Sequence, residues 1–436
     1  MGEQSVSATT TPPPRGTDRA PAGSGASPQR SGALTARVTL GRVFAPVPVE
    51  FLLVVSSALL LTGFGIVMVT SATMASALSN GESPYNDGLQ QGIFALLGVA
   101  VMFVVSRLPV AFFRRIAWVA LGVAVAVQLL VFVPGLGIEV GGNRNWIRVA
   151  GFSLQPSELI KLTIALWVAM ILYRKRNLLS RWQHVYIPLV PVALLAIGTV
   201  LAGKDLGTSM VLVLIVLGCL FFSGVKLRIF AVPVILGGLA VAALAITSPN
   251  RMTRILSFMD ENCDYLKECY QSSHGIWGLA GGGVFGRGLG NSIEKYNWLP
   301  AAGDDYIFAI VGEELGLIGC IVVLALFATF AVGAFRIIRN SEDQFVRVAA
   351  GGITVWILGQ ALINIGVVLR VFPVLGVPLP FMSAGGSSLV AVLTACGVLL
   401  AFCRTLPDRS IARAAAAAGT ARSARPPAPR GRKRDS

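Results

Sequence analysis

The sequence predicts an all-α, polytopic integral membrane protein with ten transmembrane helices and one large extracytoplasmic loop, and three observations carry that prediction. Of 436 residues, 54% are hydrophobic and only 13% charged, against roughly a quarter charged in an ordinary soluble domain. Between residues 50 and 403 the apolar residues fall into runs long enough to cross a bilayer, which takes about 20 residues each. The charge is also segregated: residues 1–49 hold five Lys/Arg and two acids, and residues 404–436 hold nine and two, so +10 of the net +15 lies in the tails. A soluble enzyme is excluded. The basic tails lack interleaved aromatics, so they point to anionic lipid or cytoplasmic orientation rather than nucleic acid.

In chain order, residues 1–48 are rich in Pro, Ser, Thr, Gly and Ala, with too few large apolar side chains to offset the entropy of ordering, and are read as a disordered cytoplasmic tail. The first apolar run begins near residue 49 and is too long for a signal-peptide core. The membrane domain, 49–404, contains ten runs, near 49–72, 91–107, 115–135, 156–173, 185–202, 207–224, 229–247, 305–337, 346–369 and 384–403. Arg107, Arg114, Arg115, Arg174, Lys175, Arg176, Arg181, Lys226, Arg228, Arg336, Arg339 and Arg347 all fall in connectors on the same side as the tails. The positive-inside rule therefore places both termini in the cytoplasm. The opposite face receives the connectors 73–90, 136–155, 203–206, 248–304 and 370–383. The loop 248–304 is far above the usual connection length and carries Trp277, Trp298, Tyr265, Tyr270 and Tyr296, which favours function. Residues 405–436 form a second basic tail, broken by Pro426, Pro427 and Pro429.

Ionisable groups inside a bilayer are costly and mark candidate sites. Glu158 and Lys161 begin the fourth run, Lys204 and Asp205 fill the short connector after the fifth, and Asp304, Asp305, Glu313 and Glu314 stand at or in the eighth. For Glu158 and Lys161 an (i, i+3) ion pair weighs as much as substrate contact. Of Asp304 and Asp305, one suffices as a helix cap or dipole partner, which frees the other to face a cavity. Glu313 lies about 12 Å further along the helix axis than Asp305, too far to share a reacting atom, so it is expected to hold neighbouring helices or support the cavity.

The glycine-rich run GLAGGGVFGRGLGNS (278–292) superficially resembles a phosphate-cradling loop. It follows no predicted strand and lacks the terminal Lys-Ser/Thr, so a re-entrant or membrane-skimming segment is the preferred reading, with a donor nest for a lipid pyrophosphate as the alternative. Arg144 and Arg148 flank Trp146 at the interface, where Arg binds phosphate bidentately and Trp anchors at headgroup depth. Cys263 and Cys269 share the oxidising outer loop. On a helix they would point about 240° apart, so a disulfide between them requires an intervening turn. The two histidines, His184 and His274, fall on opposite faces, which makes a zinc site improbable.

The segments KYNWLPAAGDDYIFAIVGEELGLIG (295–319), NRNWIRVAGFSLQPSELIK (143–161), GKDLGTS (203–209) and NIGVVLRVFPVLGVPLPFMSAGGSS (364–388) together resemble the SEDS family of shape, elongation, division and sporulation proteins. The resemblance spans the membrane region, and GRGLGNSIEKYNWLP (286–300) is closer to the division type than to the elongation type. It implies a ten-helix peptidoglycan glycosyltransferase of the bacterial cytoplasmic membrane, at the division septum, that polymerises lipid II beside a class B penicillin-binding protein and other division proteins. The family's essential acid aligns with Asp305, and the segment containing Ser387 is expected to contact substrate. The chain departs from the family in having Ala301 and Gly303 where Glu and His are usual, an extra acid at Asp304, Ala384 in place of Tyr, and the Cys263–Cys269 insertion.

Such chemistry needs one well-placed base. Forming a β-1,4 link from an α-linked lipid pyrophosphate inverts the sugar carbon, so a carboxylate that takes the acceptor hydroxyl proton is enough. The leaving pyrophosphate must be offset by cationic side chains, with Arg144, Arg148, Lys161 and Lys204 as candidates, or by a divalent Mg or Mn ion. A lipid II flippase and a non-catalytic scaffold for the penicillin-binding protein are the alternatives.

Overall fold

The computed structural model describes residues 48–140, 142–149, 151–246, 252, 256–258 and 263–406. The two tails, apart from their innermost residues, lie outside the described residues. Within them, each of the ten apolar runs coincides with a helix: α1 (Val49–Ser79), α2 (Asn86–Val105), α3 (Val110–Leu129), α4 (Ser157–Arg174), α5 (Trp182–Ala202), α6 (Leu206–Phe222), α7 (Leu227–Ile246), α9 (Ile307–Asn340), α10 (Gln344–Val368) and α11 (Gly386–Cys403). The outer loop contributes a further helix, α8 (Tyr270–Gly282). Seven helices, α1, α2, α3, α5, α9, α10 and α11, are long and apolar enough to cross a membrane. The helix α4 is interrupted by Glu158, Lys161 and Arg174 but is buried on nearly every side, as a central helix that is not required to face lipid.

One part of the molecule is not helical. Residues 137–154 form a three-stranded antiparallel sheet, β1 (Gly137–Val140), β2 (Asn143–Val149) and β3 (Phe152–Leu154). Its register pairs Ile138 with Trp146 and Arg148 with Ser153. Alternation of Asn145 and Ile147 inward with Arg148 outward follows from the period of two along a strand. The Arg144 amide donates to the Gly203 carbonyl (2.9 Å), which docks the sheet on the turn between α5 and α6.

The helix α9 is broken. Gly316 has φ 66° and ψ −164°, which interrupts the ladder and frees backbone groups at membrane depth, where none can be left unpaired. The glycine-rich run supplies their partners. The amides of Arg287 and Gly288 donate to the carbonyls of Glu313 and Glu314 (both 2.9 Å), and those of Leu317 and Ile318 donate to Gly283 and Val284 (2.9 and 3.3 Å). A Cβ on Gly286 would sit 2.2 Å from the Glu314 carbonyl oxygen, so only glycine lets this segment approach. The run thus patches the break in α9 through its backbone.

Candidate active site

Asp304 and Asp305 lie in a turn just before α9, whose cap position is Tyr306. The expectation that one of them caps the helix is therefore corrected: the amides of Asp304 and Tyr306 both close on the Ala301 carbonyl (3.0 and 3.2 Å), so the chain turns once more before it becomes helical. Ala301 at φ 54° and Asn297 at φ 64° carry this turn in a conformation that costs a non-glycine residue on the order of 1 kcal/mol. Asp305 is half-buried and faces Gly376, where a Cβ would stand 3.6 Å from its Oδ2. Asp304 is exposed at its surface, while desolvation by the surrounding protein, and then the charge of Asp87, push its carboxyl up to about 6.

Three successive carbonyls hold this turn to the segment 364–385. Gly303 accepts from the Ala384 amide (2.9 Å), Asp304 from the Ser383 hydroxyl (2.5 Å) and Asp305 from the Asn364 amide (2.7 Å). The receiving loop is itself clamped by neutral side chains. Gln360 donates to the Pro378 carbonyl (2.8 Å), and Gln91 donates to the Ser383 carbonyl (3.1 Å) while accepting from the Gly385 amide (3.3 Å).

Behind the loop lie several residues singled out in the sequence. Lys161 donates to Glu158 (2.7 Å) and Gln360 (3.1 Å) and is 1% exposed. Of its two expected roles, the buried ion pair is the one this arrangement builds, and the ammonium does not open to a cleft. Asp205 caps α6 through the Thr208 amide (2.8 Å) and accepts from Gln155 (3.1 Å), whose own amide donates to the Ser387 hydroxyl (3.1 Å). Ser387 thus joins α11 to the sheet. Arg148 is exposed, Arg144 is half-buried against Gly137, and Lys204 is exposed on the α5–α6 turn at φ 66°.

Glu313 and Glu314 are sealed on the other side of the acid turn. Glu313 accepts from the Ser292 hydroxyl (2.5 Å) and the amides of Ile293 (2.9 Å) and Glu294 (3.3 Å). Glu314 pairs with Lys295 (3.1 Å) and accepts from Ser71 of α1 (2.6 Å). These contacts, together with His274–Glu294 at 2.6 Å, fix the segment that runs into Asp305. A disulfide joins Cys263 to Cys269 across a turn, with Cα atoms 6.2 Å apart. Among the described residues no group of three His, Cys, Asp or Glu is placed to hold a metal.

The family model described as "Cell cycle protein", that of FtsW, RodA and SpoVE, matches residues 51–406, and the chain belongs to this family of multi-pass membrane proteins. It is 38% identical over 359 residues to the probable peptidoglycan glycosyltransferase FtsW of Mycobacterium tuberculosis, covering 82% of this chain and 68% of that one. It is 34% identical over 351 residues to the stage V sporulation protein E of Bacillus subtilis, covering 80% and 96%. Among solved structures, a chain of a peptidoglycan synthase complex superposes with a TM-score of 0.66 at 24% identity over 80% of this chain and 96% of that one. The rod shape determining protein RodA of Thermus thermophilus superposes at 0.60, with 24% identity over 81% and 97%.

Proposed function

We propose that the chain is a peptidoglycan glycosyltransferase that polymerises lipid II, with Asp305 as general base. One observation carries the assignment of the base. Of the acids the sequence singles out in the membrane domain, Glu158, Asp205, Glu313 and Glu314 are buried and bonded, whereas Asp304 and Asp305 keep access to solvent. Asp305 is the one whose carboxylate faces the loop that Asn364 and Ser383 organise. In the reaction the acceptor 4-hydroxyl oxygen attacks the donor anomeric carbon, its proton passes to Asp305, and the bond to the pyrophosphate breaks with its electron pair. The exposed cations Arg148 and Lys204 and the half-buried Arg144 are the groups assigned to the leaving phosphates. No step is assigned to a metal.

The chain crosses the membrane ten times in this proposal, with both termini cytoplasmic, and works at the septum beside a class B penicillin-binding protein and other division proteins. The sidedness is supported by the way its proposed outer connectors converge: the sheet meets Gly203, Gly207 of α6 lies against Leu375, and Gly303 meets Ala384. Purified protein given lipid II, with and without a class B partner, should make glycan strands. A flippase or scaffold would make none, and so would Asp305→Asn.

A further inference from the structure

We infer that Asn364 is a positioning residue for Asp305, a role that rests on the reading of Asp305 as base. Asn364 lies on α10, 1% exposed, and its amide nitrogen donates to two carbonyls at once, those of Asp305 (2.7 Å) and Val377 (2.8 Å). Two carbonyl acceptors admit only the NH2 end, so the orientation of the amide is fixed by its partners. Both bonds leave from the same buried nitrogen, so the side chain ties two separate backbone segments at one point.

The bond to Val377 gives the double donation its purpose. Val377 follows Gly376, the residue that faces the Asp305 carboxylate. One planar amide thus sets the separation between the backbone that carries the acid and the backbone that forms its wall. Ser383 repeats the arrangement one residue earlier: its hydroxyl donates to the Asp304 carbonyl and accepts from the Leu379 amide (2.8 Å). Asn364 itself stands one turn beyond Gln360 on the same helix face, and Gln360 holds Pro378. Positions 360 and 364 therefore fix consecutive residues of one loop, and α10 acts as the ruler.

Neutral donors suit this task. They hold the turn through its carbonyls and bring no counter-charge to the carboxylate that must accept a proton. A displacement of the acid by about 1 Å is enough to lower turnover on the order of 10²-fold.

The test uses the full-length chain, purified together with a class B partner, and three variants: Asn364→Leu, Asn364→Asp and Ser383→Ala. Asn364→Asp keeps the shape and, when ionised, has no proton to donate, so it separates donation from packing. The expected result is a fall in kcat per folded molecule of about 10²-fold for both Asn364 variants, with KM for lipid II little changed, and faster hydrogen exchange at residues 303–306 and 376–379 together. Ser383→Ala should show the same pattern more weakly, and it carries the test if Asn364→Leu does not fold. Wild-type kcat in folded Asn364→Asp, a loss confined to KM, or unchanged exchange at 303–306 would each overturn the inference. Asp305→Asn is assayed alongside: if it keeps turnover, the assignment of the base fails, while the exchange data still judge the tether.

Discussion

The acid turn is held from two sides by opposite chemistry. On the side of the re-entrant segment the ties are ionic: Lys295 and Glu314 are fully buried and paired, and Glu313 collects a hydroxyl and two amides. On the side of the 377–385 loop they are neutral, made by Asn364, Gln360, Gln91 and Ser383. The ionic side lies where α9 is broken at Gly316 and loose backbone must be satisfied within the bilayer. The neutral side lies beside Asp305, the carboxylate proposed to take up a proton. Charge is thus spent on sealing and withheld from the backbone that aims the base.

The largest effect expected is at the base itself. Asp305→Asn keeps size and hydrogen bonding but removes basicity, and general-base catalysis is worth about 10²–10⁴-fold. Polymerisation from lipid II should fall by that factor while membrane insertion and partner binding persist; near-normal turnover in folded protein would refute the assignment. The ionic side should fail differently. Lys295→Met leaves Glu314 buried without its partner, which costs on the order of 3–5 kcal/mol, and should appear as lost folded protein and a lower Tm. Lys295→Met combined with Glu314→Leu should recover much of that stability, because replacing a whole buried pair by apolar groups is often close to neutral. If the double variant is no better than the single one, the pair does more than seal.

The sequence exposed the acids of the ionic side, Glu313 and Glu314, but not Lys295, the buried partner of Glu314. Hydropathy located the ten helices of the apolar runs but not α8 in the outer loop, and the cost of charge in lipid singled out Glu158, Lys161, Asp205, Glu313, Glu314 and Asp305 by chemistry alone. The same criterion passed over Gln91, Gln360 and Asn364, which carry no charge and sit in otherwise apolar runs. Spacing was the available signal: Gln360 and Asn364 are four residues apart, on one helix face. The break at Gly316 was hidden because a single glycine in an apolar run costs little on any scale, and only the glycines of the facing segment reveal what it must meet. The sheet at 137–154 was obscured by charged and aromatic residues read as an interface anchor.

A third tie is covalent and should be weaker. The Cys263–Cys269 bond closes a short loop, and the Arg370 guanidinium stands 3.9 Å from Cys269 Sγ, which links the outer loop to the segment leading into the neutral side. Chain entropy assigns such a loop about 2 kcal/mol. Cys263→Ser with Cys269→Ser should lower Tm modestly and quicken exchange in the outer loop while leaving the Lys295 region unchanged. Mass mapping of the untreated protein that finds both thiols free would remove the tie altogether.

The smallest effect concerns Asp304, the acid that neither side uses as a base. Its folded-state value, raised to about 6 from 3.8, means the folded protein holds this proton more tightly than the unfolded chain. Stability contributed by the protonated form is therefore lost as pH rises between those two values, and the penalty is complete above about 6. Asp304→Asn should flatten that part of the Tm–pH curve and leave most turnover at neutral pH. Asp87→Asn should move the Asp304 midpoint downward, since the Asp87 charge is the second cause of the shift after burial. An unaltered slope in Asp304→Asn would show that the fold does not hold the proton, and a loss of polymerisation in Asp304→Asn with full activity in Asp305→Asn would move the base by one residue, to the carboxylate of Asp304, whose backbone carbonyl Ser383 rather than Asn364 holds.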